Sequence, residues 1–258
     1  MSHPKRILTV DQGNSCLKLT LFEDSVVKDR LLVPGKSVSS LDDALRRFSP
    51  DGGIVCSTSD NLEALKTEWR RLSSVPLLAV GRELKMPVDF SAYKSDSLGL
   101  DRLALMAGAA LLYPGVSVLV IDFGTALTCD LVDKEGKFVG GNISPGLDMR
   151  FKALNNFTAA LPLVEKKDDC PRWGRDTVSA IQAGVRWGII AEAVEAVSDA
   201  AGEQDARLCL LTGGDAPLFY PPVKDIVSNK IGKHIDVALV ADLLAFGLLY
   251  IYNLNENS

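Results

Sequence analysis

The sequence predicts an α/β fold made of two halves of similar construction, and three observations carry that reading. Short apolar runs alternate with amphipathic helical stretches along most of the chain; a strand–acid–glycine–strand pattern at the N-terminus returns near the middle; and Tyr113-Pro114-Gly115 breaks the chain between the two copies. The 258 residues, at about 150 per domain, suit two modest domains, expected at 1–113 and 114–258.

Arg6 to Phe22 reads as a hairpin: Ile7-Leu8-Thr9-Val10, the turn Asp11-Gln12-Gly13-Asn14, then Cys16 to Phe22 with Leu17, Leu19 and Leu21 alternating. Val26 to Val33 adds a third strand, Leu41 to Phe48 a helix, Ile54 to Ser57 a strand, Leu62 to Leu72 a helix and Val75 to Val80 a strand. Strands alternating with helices after a hairpin imply at least one parallel pairing. Leu103 to Ile121 carries no charge, but Pro114-Gly115 interrupts it, so it reads as a buried helix, a turn and a buried strand rather than a membrane span. Val118 to Val132 then repeats the first hairpin at a constant offset, Asp122 on Asp11 and Gly124 on Gly13. Lys137 to Ile143 is a strand, and a helix follows Ser144-Pro145-Gly146 through Asn155. Asp176 to Ala201 is a long helix with Asp176 as N-cap and Gly202 just past its end. Arg207 to Thr212 is a strand running into Gly213-Gly214, with Asp215 where a helix starts. Ala238 to Asn253, apolar around Asp242, is a core-packed terminal helix before a frayed polar tail, Asn253 to Ser258.

Composition narrows the function. Apolar residues make up 47% and charged ones 24%, which is ordinary for a globular chain. Lys plus Arg total 28 against 33 for Asp plus Glu, so no basic excess exists to neutralise a phosphate backbone, and nucleic acid is not the expected partner; nor is a membrane. Five scattered cysteines (Cys16, Cys56, Cys129, Cys170, Cys209) with no C-x-x-C pair, and no signal h-region after Met1, point to reduced thiols and a cytoplasmic location.

The Asp11-to-Asn14 turn joins a glycine that lets backbone N–H groups approach phosphate oxygens to a carboxylate that can hold Mg²⁺ directly or through water. One copy reads equally as an ordinary hairpin turn. Two copies, each with an acid at the end of an apolar strand, where burial is costly, indicate two loops gripping one ligand. A third strand ending in glycines, Leu210 to Asp215, could lay bare backbone against a base or ribose. Asp101, in the first turn of the helix that follows Gly99-Leu100, is either a capping acid or a general base toward a substrate hydroxyl, with Arg102 steering an anion; residue types alone leave both open. Gly35-Lys36-Ser37 lacks the upstream glycine of a P-loop, Asp122-Phe123-Gly124 lacks the other kinase motifs, and His3 and His234, the only histidines, give no triad. Phosphoryl transfer, a chemistry of positioning and charge stabilisation, remains.

The ordered set Asp11-Gln12-Gly13-Asn14-Ser15, Leu98-Gly99-Leu100-Asp101-Arg102, Ile121-Asp122-Phe123-Gly124-Thr125-Ala126, Gly140-Gly141-Asn142-Ile143-Ser144-Pro145-Gly146, Leu161-Pro162, Thr177 with Gly184, and Gly213-Gly214-Asp215 resembles type III pantothenate kinases over essentially the whole chain. The resemblance implies an actin-like fold of two ribonuclease-H-like domains with ATP in the cleft, a homodimer, and phosphorylation of pantothenate to 4′-phosphopantothenate at the start of coenzyme A synthesis. Carried over by position, Asp11, Gln12, Gly13, Asn14, Ser15, Cys16, Leu17 and Lys18 form the first phosphate loop. Thr125 and Gly213-Gly214 also contact ATP, and Asp101 takes the proton. Gly99, Leu100, Asp101, Arg102 and Thr177 line the pantothenate pocket, and Asp122 binds a monovalent cation, K⁺ or NH₄⁺, used beside Mg²⁺. The proline that many members carry before Leu98 is absent from Tyr93-Lys94-Ser95-Asp96-Ser97. Relatives acting in transcription make a non-catalytic regulator the alternative, and the altered loop makes a kinase of another small hydroxylated substrate a second one.

Overall fold

The structure, a computed structural model, describes residues 4–13, 16–35, 40–58, 61–93, 98–230 and 234–256. Two compact units make up the chain, Met1–Leu112 with Asp242–Ser258, and Tyr113–Ala241.

In the first unit, β1 (Arg6–Gln12) and β2 (Cys16–Glu23) form the expected hairpin, β3 (Val26–Pro34) extends it, and β4 (Gly52–Ser57) and β5 (Leu77–Ala79) join in parallel, in the order β3-β2-β1-β4-β5. Alternation decides the faces. Leu8, Val10, Leu17, Leu19 and Val55 pack under α1 (Leu41–Phe48) and α2 (Leu62–Leu72), where Phe48 and Trp69 are fully buried. Ile7, Ile54 and Cys56 point to the other face, covered by α3 (Leu100–Leu112).

The second unit repeats the plan. β6 (Val118–Phe123) and β7 (Ala126–Val132) are the second hairpin, β8 (Phe138–Pro145) extends it, and β9 (Leu208–Thr212) and β10 (Asp236–Leu239) pair in parallel, in the order β10-β9-β6-β7-β8. Its core lies between one sheet face and α4 (Leu147–Asn156), α5 (Thr177–Glu203) and α6 (Ala216–Lys230), with Phe123 and Phe219 stacked at 4.8 Å. Asp176 caps α5 as expected, its side chain accepting from Ser179 N at 2.8 Å.

Several boundaries differ from expectation. β5 is shorter than Val75–Val80. Helix α5 runs through Gly202 to Glu203, because the residue that turns the chain with positive φ is Asp205, not the glycine. Asp236–Leu239 is a strand rather than the start of the last helix; so short an apolar run has no period to separate the two. Helix α7 (Leu243–Asn255) extends past Asn253, with Asn255 buried and bonded through its amide to the backbone of Lys85; Asn257 and Ser258 lie outside the described residues. The expected 114–258 domain also loses its end: α7 packs on α3, β1 and β4 of the first unit.

Helices α3 and α7 approach closely through glycine. A Cβ on Gly247 would overlap the Ala104 carbonyl, and one on Gly108 the Leu243 carbonyl. Gly247→Ala is therefore expected to cost at least the ~1–3 kcal/mol of an overpacked core, read as a lowered thermal midpoint.

Candidate active site

The first half-site sits at the carboxyl end of β1. Asp11 lies on the α3 side of the sheet, opposite Lys18 on β2 and Cys56 on β4. Burial pushes the Asp11 carboxyl above the usual carboxylate range and the charge of Asp101 adds to the rise, while Lys18, its Nζ 3.6 Å away, pulls it down. Burial first, then the same two carboxylates, hold the Cys56 thiol well above its ordinary value, so it stays neutral and is no nucleophile. The turn closes with Gly13 N donating to Cys16 O at 3.1 Å; Asn14 and Ser15 lie outside the described residues. Leu17 is turned into the α1/α2 core, leaving only its backbone for a ligand. Gln12 is fully buried, its Oε1 accepting from Ser57 Oγ at 2.9 Å and its Nε2 unpartnered among the described residues.

Asp101 stands in the first turn of α3, half-buried, with Oδ1 accepting from Arg102 N at 2.8 Å. It thus covers one of the free N–H groups of the helix start, and its charge is felt at Asp11. Gly99 makes room, since a Cβ there would overlap Asp101 Oδ1. Leu100 is half-buried and Arg102 buried; Lys94 to Ser97, in the loop without proline, lie outside the described residues.

The second half-site has the same plan with different groups. Asp122 at the end of β6 lies opposite Thr128 on β7 and Thr212 on β9. Gly124 N donates to Ala126 O at 3.1 Å, as Gly13 does across its own turn, and Thr125 is exposed. Gly146, before α4, packs against the Gly124 and Thr125 carbonyls so closely that no Cβ fits. Gly213 has φ +98° and a Cβ on it would meet Asp122 Oδ1, whereas Gly214 faces open space. Asp215 ties the turn down twice, through its N–H to Phe123 O at 3.0 Å and through its carboxylate to Lys166 Nζ at 2.7 Å. Thr177 is exposed on the first turn of α5.

The structure thus brings Asp11, Lys18 and Asp101 together in one unit and Asp122, Gly124 and Gly213 in the other. Sequence reasoning missed Lys166, which carries no motif. It also missed Thr128 and Thr212, which take the cross-strand positions that Lys18 and Cys56 take beside Asp11; the constant offset of the repeat puts Cys129 on Lys18, because the second turn is one residue shorter.

Gly13 and Gly124 share one further property. Neither has a positive φ, and a Cβ on either would make only ordinary contacts, at 3.6 Å and 3.5 Å. The fold does not demand glycine at these positions, and each leaves its backbone open to close approach. Among the described residues no group of three or more His, Cys, Asp or Glu could hold a metal, and no helix is long and apolar enough to cross a membrane.

Comparison with known proteins gives the same direction. The family model of the type III pantothenate kinases matches residues 7–199. The type III pantothenate kinase of Porphyromonas gingivalis (strain W83) is 37% identical over 236 residues, 90% of this chain and 94% of the relative. That of Cytophaga hutchinsonii is 31% identical over 249 residues, 96% and 99% of the two chains. Among solved structures, a ROK family glucokinase from Streptomyces griseus, in complex with glucose and AMPPNP, has a TM-score of 0.54 at 12% identity and covers 98% of this chain and 100% of its own. A conserved Campylobacter jejuni protein assigned to the Baf family of transcriptional activators has 0.61 at 19%, covering 97% and 100%. At such identities the likeness shows the fold alone.

Proposed function

The chain belongs to the type III pantothenate kinase family, and from that premise we propose that it transfers the γ-phosphoryl group of ATP to the primary hydroxyl of pantothenate, giving ADP and 4′-phosphopantothenate for coenzyme A synthesis. The observation that carries the mechanism is the placing of Asp101 at a helix start beside the buried Asp11. A primary alcohol is a weak nucleophile, and Asp101 takes its proton as the oxygen–phosphorus bond forms. Gly99, Leu100, Arg102 and Thr177 bind and orient pantothenate. The glycine turns at Gly13 and Gly124, with Asn14, Ser15, Cys16, Lys18 and Thr125, present backbone and side-chain donors to the phosphates, and Gly213-Gly214 lies against the adenosine.

The residues fit the two cations that the family implies. Asp11, buried and near a second carboxylate whose charge raises it further, is an oxygen donor that a divalent ion completes together with waters and phosphate oxygens. Asp122 and its threonine neighbours offer oxygen only, as K⁺ or NH₄⁺ requires. When bound, these ions offset the phosphate charge, which an acidic chain supplies poorly by itself. Ile143, Met149, Phe157, Leu163, Trp173 and Val178, all in the second unit, expose apolar surface that a homodimer would cover. The five free cysteines suit the cytoplasm.

A pantothenate-dependent ADP-release assay with Mg²⁺ and K⁺ tests the assignment. ATP binding without pantothenate-stimulated release favours the regulator, and release with simple sugars or short polyols in place of pantothenate favours the other kinase. Gly13→Ala and Gly124→Ala are each expected to unfold within about 0.5 kcal/mol of the parent yet bind ATP about tenfold more weakly, by calorimetric titration.

A further inference from the structure

Building on the reading of Asp122 just given, we propose that Thr128 supplies its hydroxyl oxygen as a second protein ligand to the monovalent cation. In the sheet register Asp122 stands directly opposite Thr128, so the two side chains share one face, with Cβ atoms about 5 Å apart. Thr128 Oγ1 is buried and has no hydrogen-bond partner among the described residues. Leaving a hydroxyl so is costly, and valine, of the same shape and at least as good in a strand, would avoid that cost. Buried polar atoms of this kind call for a bound water or ion. Its register neighbours are Ile143 on β8 and, toward the sheet centre, the Asp122 carboxylate, with the Thr212 hydroxyl on the far side of Asp122.

The repeat says which charge belongs there. In the first unit the residue opposite the strand-end acid is Lys18, whose ammonium lies 3.6 Å from Asp11. The same register position thus carries one covalent positive charge in one half of the molecule and a partnerless hydroxyl in the other. A free ion of single charge, accepted by Thr128 Oγ1 and Asp122, makes the two halves electrostatically alike, whereas a divalent ion there would overshoot.

The test compares the parent protein with Thr128→Val, Thr128→Ser and Asp122→Asn in KCl and, at equal ionic strength, tetramethylammonium chloride. Two readouts are taken: the K⁺ concentration for half-maximal ADP release, and the K⁺-dependent rise in thermal midpoint with AMPPNP bound. Thr128→Val is expected to raise the half-effective K⁺ concentration about tenfold in both, and Thr128→Ser to restore it. If valine leaves both K⁺ responses unchanged while Asp122→Asn removes them, the hydroxyl holds only water and the inference about Thr128 falls alone. If the parent protein does not respond to K⁺ in either readout, the cation reading of Asp122 falls too. Should the valine variant fail to fold, Thr128→Ala removes the same oxygen and is judged by the same two responses.

Discussion

Asp101→Asn is expected to bind ATP as the parent does and to turn over about 10²-fold or more slowly, the usual worth of a positioned base. The substitution is nearly silent for the fold. The amide oxygen of asparagine can accept from Arg102 N as Oδ1 does, so the covered N–H of the helix start stays covered, and Gly99 leaves room for either side chain. What asparagine lacks is the capacity to take the hydroxyl proton. The loss should therefore fall on kcat and leave the KM for ATP near its parent value, in steady-state kinetics alongside a melting curve. Near-parent turnover in a stably folded variant would remove Asp101 from the chemistry and return it to the role of a helix-terminal acid.

Asp11→Asn is expected to be both inactive and more stable. Burial, the largest influence, and the neighbouring charge of Asp101 raise the Asp11 carboxyl in the folded protein, with Lys18 offsetting only part of it. A carboxyl raised above its unfolded value binds its proton more tightly when native, so its ionised form weakens the fold at neutral pH, and that penalty fades as pH falls through the raised value. Asparagine removes the penalty at the expense of a half-exposed ion pair of small worth. A rise in thermal midpoint of about 2–4 °C at pH 7.5 should result, shrinking as the pH is lowered. Saturating Mg·ATP should close the gap from the parent side, because only the parent has a carboxylate at position 11 to engage the metal. A variant less stable than the parent at every pH would mean that Asp11 is a structural anchor.

Much of this was legible in the sequence for one physical reason: an acid ending an apolar strand is expensive, so Asp11 and Asp122 stood out, and their common offset exposed two like sheets before any topology was known. Asp101 is legible as a choice between two roles, and the structure shows its carboxylate covering the Arg102 N–H while its charge is felt at Asp11. Other features left no trace. The apolar pattern of α7 says that the helix is buried but not against which neighbour, which is why it was given to the wrong unit. Threonine is common in strands, so Thr128 became conspicuous only when packing left its hydroxyl alone.

The position of α7 has a consequence for how the protein is made. Residues 113–241 form one uninterrupted stretch and can complete their unit as soon as they leave the ribosome, while the first 112 residues, though synthesised earlier, wait for a helix that emerges last. Until then one face of their sheet, with Ile7, Ile54 and Cys56, lacks its α7 cover. The half that carries Asp101 is thus the half finished second.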